Sequence, residues 1–152
     1  MPMGTRSRCC RHSRAAEMRY AVREPIDVNR LLAAVQGPGR GGTALFLGTV
    51  RAGVADGPVV TIEYSAYEEM VEAEFARITA EAEQRWPGSR VGAVHRVGVV
   101  QLGEPSIGVA AAAAHREDAF AACRYVVDEA KRRLPVWKKE RFVDGATEWR
   151  EG

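Results

Sequence analysis

Two apolar stripes with helical spacing constrain this chain more than any other feature. Val71, Phe75, Ile78 and Ala82 recur at steps of four, three and four. Phe120, Cys123, Val127, Ala130 and Leu134 repeat the pattern. Residues spaced in this way lie on one face of an α-helix and have to be covered. The spacing therefore predicts a helix over Tyr67 to Trp86, stopped by Pro87 and Gly88, and another over Arg116 to Leu134, stopped by Pro135.

The segments between the stripes are short and β-rich. Arg19 to Val22 reads as a short strand, and Asp27 as the N-cap of a helix over Val28 to Val35 that ends at the glycines from Gly37 to Gly42. Thr43 to Val50 is almost continuously apolar, which predicts a strand covered on both faces. Arg51 ends it before a turn-forming loop, AGVADGP, and Val59 to Tyr64 follows as a second strand. Val91 to Val100 predicts one or two strands around Gly98, Ile107 to Ala114 an alanine-rich one, and Val136 to Val143 the last. No repeat or linker divides this body. The expected fold is a single α+β domain, an antiparallel or mixed sheet with two long amphipathic helices on one side.

Composition narrows the functional classes. Residues 1–17 hold four arginines and one glutamate without periodic apolar residues, so they read as a disordered basic leader before an 18–152 domain, with Met18 a candidate start. They lack the apolar stretch of a secretory signal. Of 22 cations and 20 acids in the chain, 18 and 19 remain after this leader. A nearly neutral body argues against nucleic acid, which is held through a broad basic surface. No long apolar run suggests a membrane span, so the expected location is cytoplasmic. Cys123 reads as core, and Cys9, Cys10 and His12 make a poor metal set. Walker, GxGxxG, GxSxG, HExxH and CxxC motifs are all missing, so neither a metal nor a cofactor is expected.

Chemistry concentrates near the end of the chain. Lys131, Arg132, Arg133, Lys138, Lys139 and Arg141 fall within eleven residues that contain one acid, Glu140. The first three close a helix, where cations favour the dipole and are commonly just solvated. Strand alternation puts Val136, Lys138, Glu140 and Phe142 on one face and Trp137, Lys139, Arg141 and Val143 on the other. A lysine held among apolar groups or other cations becomes usable as a base or nucleophile. His115 and Arg116 stand where a strand hands over to a helix, a junction suited to phosphate; the plain alternative is a core histidine and a surface arginine. Arg51 divides evenly between the same two readings. Arg51, His115, Arg116, Lys131 and Lys138 make an anion site if the fold unites their segments.

FLGTVR (Phe46 to Arg51), EYSAY (Glu63 to Tyr67), HRVG (His95 to Gly98), HREDAFAAC (His115 to Cys123) and PVWKKE (Pro135 to Glu140) occur together in this order. The set resembles the molybdopterin synthase large subunit family over about Val28 to Trp149. The resemblance implies an α/β hammerhead-type fold and a heterotetramer. In it, two large subunits form a central dimer and each binds a small ubiquitin-like subunit ending in Gly-Gly. It implies that a thiocarboxylate on that tail supplies sulfur to cyclic pyranopterin monophosphate, forming a dithiolene. By the same resemblance Lys131 and Lys138 are catalytic, while Thr49, Val50, Arg51, His115, Arg116, Lys139 and Glu140 line the substrate pocket. One departure is Ser65, where the family commonly has glutamate; at a strand-to-helix junction a serine suggests an N-cap. The competing reading is a noncatalytic module that binds an acidic protein tail or nucleic acid through its basic C-terminal segment. A pseudo-subunit is a third, against which both lysines count.

Overall fold

The computed structural model describes residues 18–52 and 59–152. The expectations for residues 1–17, among them Cys9, Cys10 and His12, and for the loop after Ala52 fall outside these residues. The elements, in chain order, are β1 (Ala21–Val22), α1 (Val28–Val35), β2 (Gly42–Thr49), β3 (Val59–Ala66), α2 (Glu68–Arg85), β4 (Arg90–Arg96), β5 (Gly98–Gln101), β6 (Pro105–Ala113), α3 (Arg116–Arg133), β7 (Val136–Phe142) and β8 (Thr147–Glu151). Both long helices lie where the stripes put them. Asp27 caps α1 as expected, its carboxylate accepting from the Arg30 N–H at 3.1 Å. Among the described residues, no helix is long and apolar enough to cross a membrane.

The strands form two four-stranded sheets. The first runs β1-β4-β6-β2, mixed because β1 is parallel to β4, and the second runs β5-β3-β7-β8, antiparallel throughout. The chain passes from one sheet to the other at Gly98, whose φ of +94° suits a residue without Cβ. The sequence's turn between Val91 and Val100 is thus a change of sheet.

Strand β6 is the centre of the first sheet, and from Ser106 to Ala113 it is buried on both faces. Val109, Ala111 and Ala113 pack with α2 and α3 residues such as Phe75, Ile78 and Val126. Ala110 and Ala112 face Leu31 and Val35 of α1 on the other side. The two long helices therefore share one face, as expected, and the short helix covers the opposite one.

Two burial expectations change. Strand β2 is an edge, with Ala44 buried and Leu45 39% exposed, so it is not covered on both faces. An apolar run does not tell a central strand from an edge, because that depends on which strands pair with it. On α3 the buried face is Ala119, Ala122, Cys123, Val126, Val127 and Ala130, while Phe120 is 66% exposed. Cys123, Val127 and Ala130 of the expected stripe are buried, and the inward face extends from them toward Ala119, Ala122 and Val126 and leaves Phe120 outside. A helix lying on alanines turns its own small residues inward, and a phenylalanine would hold the two apart. Cys123 is core as expected: burial pushes its thiol up to about 11, and Sγ donates to the Val109 carbonyl at 3.6 Å.

Arg133 ties α3 to α2. Its guanidinium meets Glu74 at 3.0 Å, Glu81 at 2.7 Å and Glu129 at 3.3 Å, and Glu81 also accepts from the Tyr125 hydroxyl at 2.9 Å. Hydrogen bonds from Arg133 hold the Glu74 and Glu81 carboxyls below their usual 4.5. A depressed carboxyl contributes stability above its unfolded value and loses it as pH falls through the folded one. Wild-type protein should accordingly weaken below about pH 4.5, and Arg133→Met should flatten that acid limb in urea unfolding measured across pH. Ala111→Leu should cost about 1–3 kcal/mol by overpacking β6 against the helices, read as a lower urea midpoint at pH 7.

Candidate active site

Where the two sheets meet, the last turn of α3 and strand β7 open onto a cavity of about 530 Å³. That size suits a small molecule. Leu134 and Pro135 alone separate α3 from β7, so a lysine in the helix's last turn and a lysine near the strand's start enter the same space. Lys131 and Lys138 both line it. Arg132 and Arg133 do not, being engaged with Glu129 and with the α2 carboxylates.

The predicted alternation of β7 holds. Val136, Lys138, Glu140 and Phe142 line the cavity, whereas Trp137 and Arg141 are exposed on the other face. Opposite them, the end of β2 delivers Thr49, Val50 and Arg51. Val50 is fixed by two backbone bonds, its N–H to the Glu104 carbonyl at 3.0 Å and its carbonyl from the Gly103 N–H at 2.7 Å. Those bonds pin the stem from which Arg51 projects.

Among the described residues, four cationic side chains, Arg51, Lys131, Lys138 and Arg150, surround the cavity with one acidic side chain, Glu140. Glu140 is buried and bridges two of them, with Oε1 3.3 Å from Lys138 Nζ and Oε2 3.7 Å from Arg150 Nε. The surroundings of Lys138 thus include, beside apolar groups and cations, the acid expected on the same face of β7. Glu140 offsets the mutual repulsion of its neighbours and leaves a cationic excess for an incoming anion. Deeper in, His95 is buried, and burial pushes its imidazole down to about 4 despite a bond from Nδ1 to the Arg96 carbonyl at 2.8 Å. Burial also raises the Tyr64 hydroxyl, with a smaller push from Glu140.

Of the residues expected at the site, Thr49, Val50, Arg51, Lys131, Lys138 and Glu140 converge. Lys139 lies on the opposite face of β7, with Nζ 5.5 Å from the Trp149 ring. His115 and Arg116 are exposed at the start of α3, beside Gly42. Gly42 pairs with Ala113 at one end of the β2–β6 ladder and Thr49 with Pro105 at the other, a separation of roughly 25 Å at strand rise. Within one chain they do not reach the cavity. Ser65 is not a cap either: it is a β3 residue opposite Trp137, and Tyr67 occupies the N-cap position of α2.

Tyr64, His95, Ser106 and Arg150 line the cavity without having been singled out. His95 interrupts the otherwise apolar run VGAV of β4, which is a legible signal. Arg150 gives none, because β8 has no apolar alternation. Its strand is specified by pairing with β7, Lys138 opposite Arg150.

A neutral buried histidine makes stability pH-dependent. The unfolded chain takes up a proton near 6.5 that folded His95 refuses until about 4. Stability should fall as pH drops through that window, by at most about 3 kcal/mol for this group. Urea unfolding at pH 7 and pH 5 should show the loss in wild type and a smaller one in His95→Phe.

The family model described as MoaE protein matches residues 21–133. A molybdopterin synthase catalytic subunit from Nostoc sp. is 39% identical over 126 residues, 82% of this chain and 76% of its own. The crystal structure of molybdopterin synthase from Staphylococcus aureus superposes with a TM-score of 0.83 at 31% identity, covering 88% of this chain and 96% of that one. A protein–protein complex of subunits 1 and 2 of molybdopterin-converting factor from Helicobacter pylori shares the fold at 21% identity, with a TM-score of 0.68 over 82% and 84% of the two chains. With a family match over most of its length and a relative of this similarity, the chain belongs to the MoaE family, that of the molybdopterin synthase catalytic subunits.

Proposed function

We propose that this chain transfers sulfur from the C-terminal thiocarboxylate of a small ubiquitin-like carrier ending in Gly-Gly to cyclic pyranopterin monophosphate. Two transfers give the dithiolene of molybdopterin. The observation that carries the reading is the convergence of Arg51, Lys131 and Lys138, from three separate segments, on one cavity. Both substrates are anions, and they repel one another unless fixed cations offset the charge where they meet. Arg51 holds the phosphate or the carrier's tail. Lys131 and Lys138 stabilise the oxyanions that develop as the carrier's sulfur attacks the pterin side chain and as water then cleaves the acyl–sulfur bond, which leaves sulfur on the pterin and frees the carrier as its carboxylate; they also assist the accompanying proton transfers. The sulfur arrives on the carrier, so the buried Cys123 has no part in the chemistry.

The proposed assembly is a heterotetramer, two of these chains at the centre with one carrier on each, working in the cytoplasm. His115 and Arg116 fit this scheme only from the second copy, since their own cavity lies at the far end of the sheet. An exposed histidine and arginine at a helix start suit a phosphate entering from a neighbour. Lys139 is left outside the substrate contacts, packed on Trp149.

With a thiocarboxylated carrier and the cyclic precursor, dithiolene is read by fluorescence after oxidation. Lys131→Ala and Lys138→Ala should each slow its formation by about 10²-fold or more. Full activity in both variants sinks the mechanism. Mixing inactive Lys138→Ala with inactive His115→Ala should restore activity, because a mixed dimer holds one intact composite site; no recovery on mixing rules out a contribution from the neighbour.

A further inference from the structure

The cavity sorts its polar groups by depth. Arg51 and Lys131 are exposed, and the Lys138 side chain keeps 29% of its surface. Beneath them lie three uncharged groups, His95 at 8% exposure, Ser106 at 6% and the half-buried Tyr64. Sulfur transfer as proposed above uses the cations and leaves this floor without a task.

The neighbours of His95 settle its tautomer. Nδ1 lies 2.8 Å from the Arg96 carbonyl, and a carbonyl oxygen only accepts, so in the neutral ring the hydrogen is on Nδ1. Nε2 is then a bare lone pair, with no hydrogen-bond partner among the described residues. The ring is held by an edge contact with Tyr64, their centroids 5.2 Å apart at 71°. Tyr64 keeps its proton, since burial raises its hydroxyl, and is therefore a donor. Ser106 gives its own proton to the Gly48 carbonyl at 3.3 Å and accepts from the Tyr64 hydroxyl, a bond that a ring acceptor would replace.

A neutral acceptor beside a neutral donor is poorly matched to phosphate or carboxylate, which need donors or positive charge. It is well matched to a heterocycle edge that presents N–H next to C=O. We propose that His95 and Tyr64 recognise the neutral ring edge of the substrate, His95 accepting from a ring N–H and Tyr64 donating to a ring oxygen or nitrogen, while the cations above hold its anionic part. The inference rests on the sulfur-transfer reading and names two specificity-determining residues for it. A ring without that N–H leaves the His95 lone pair unpaired beneath the bound ligand, which such sites reject strongly.

The test uses the full chain with thiocarboxylated carrier and cyclic pyranopterin monophosphate. Absence of product with wild type defeats the sulfur-transfer reading itself, whatever the floor does. Given wild-type turnover, His95→Phe and Tyr64→Phe should each raise the KM for the pterin about tenfold, with kcat and carrier affinity within about threefold. His95→Gln, whose amide oxygen reaches the Nε2 position, should return KM to within about threefold of wild type. Unchanged KM in both phenylalanine variants, or a fall in kcat alone, overturns the assignment. Should the variants fail to fold, ¹⁵N-imidazole NMR of the wild-type protein decides. The His95 Nε2 resonance should move on adding the pterin and stay in place with inorganic phosphate, which occupies the cations only. No movement with the pterin, or equal movement with both, overturns it.

Discussion

The close approach of α3 to β6 is the constraint on which the remaining arrangement depends. Four consecutive alanines, Ala110 to Ala113, leave the strand with little beyond its backbone, and helices pack on both of its faces. Alanine on the strand selects alanine on the helix: Ala119, Ala122 and Ala130 turn inward while Phe120 turns out. Close packing of this kind leaves α3 little freedom to rotate. Its orientation sends Arg133 to the carboxylates of α2 and Lys131 to the cavity. Two neighbouring cations in one helical turn thus serve different ends, one holding helices together and the other reaching the site.

From there the chain has two residues in which to become a strand, and Pro135 makes the break abrupt. The short junction couples the helix's last turn to the inner face of β7, and pairing with β3 and β8 fixes which face that is. Lys138 stands between Tyr64 of β3 on one side and Arg150 of β8 on the other. Glu140 is the acidic side chain that lets these cations stand together. Glu140 holds Lys138 and Arg150 without neutralising the group as a whole. A cationic mouth above an uncharged floor suits a ligand with a charged end and a neutral ring, with the strongest electrostatics where charge is transferred.

How much of this was legible varied by element. The two long helices were, because Val71, Phe75, Ile78 and Ala82 keep a helical period and prolines mark both ends. The inward face of β7 was legible from simple alternation, and the lysines from their density. Strand β8 was not, since Thr147 to Glu151 is exposed along its whole length and owes its conformation to a partner strand. The edge position of β2 was hidden for a related reason: apolar content reports a wish for burial, and strand order decides whether it is met. The serine at position 65 looked like a cap because β3 extends two residues beyond where its composition suggested it would stop.

By itself the sequence determined the element types up to β7, the α+β class, the family and the chemical character of the site, because periodicity, proline stops and residue chemistry are local properties. Tertiary structure decided which of the candidate residues share a space. It gathered Arg51, Lys131, Lys138 and Glu140, added Tyr64, His95 and Arg150, and set His115 and Arg116 at the far end of the same sheet. Strand order and register are set by long-range pairing, and a few residues of register or one change of sheet at Gly98 moves a side chain from one cavity to another.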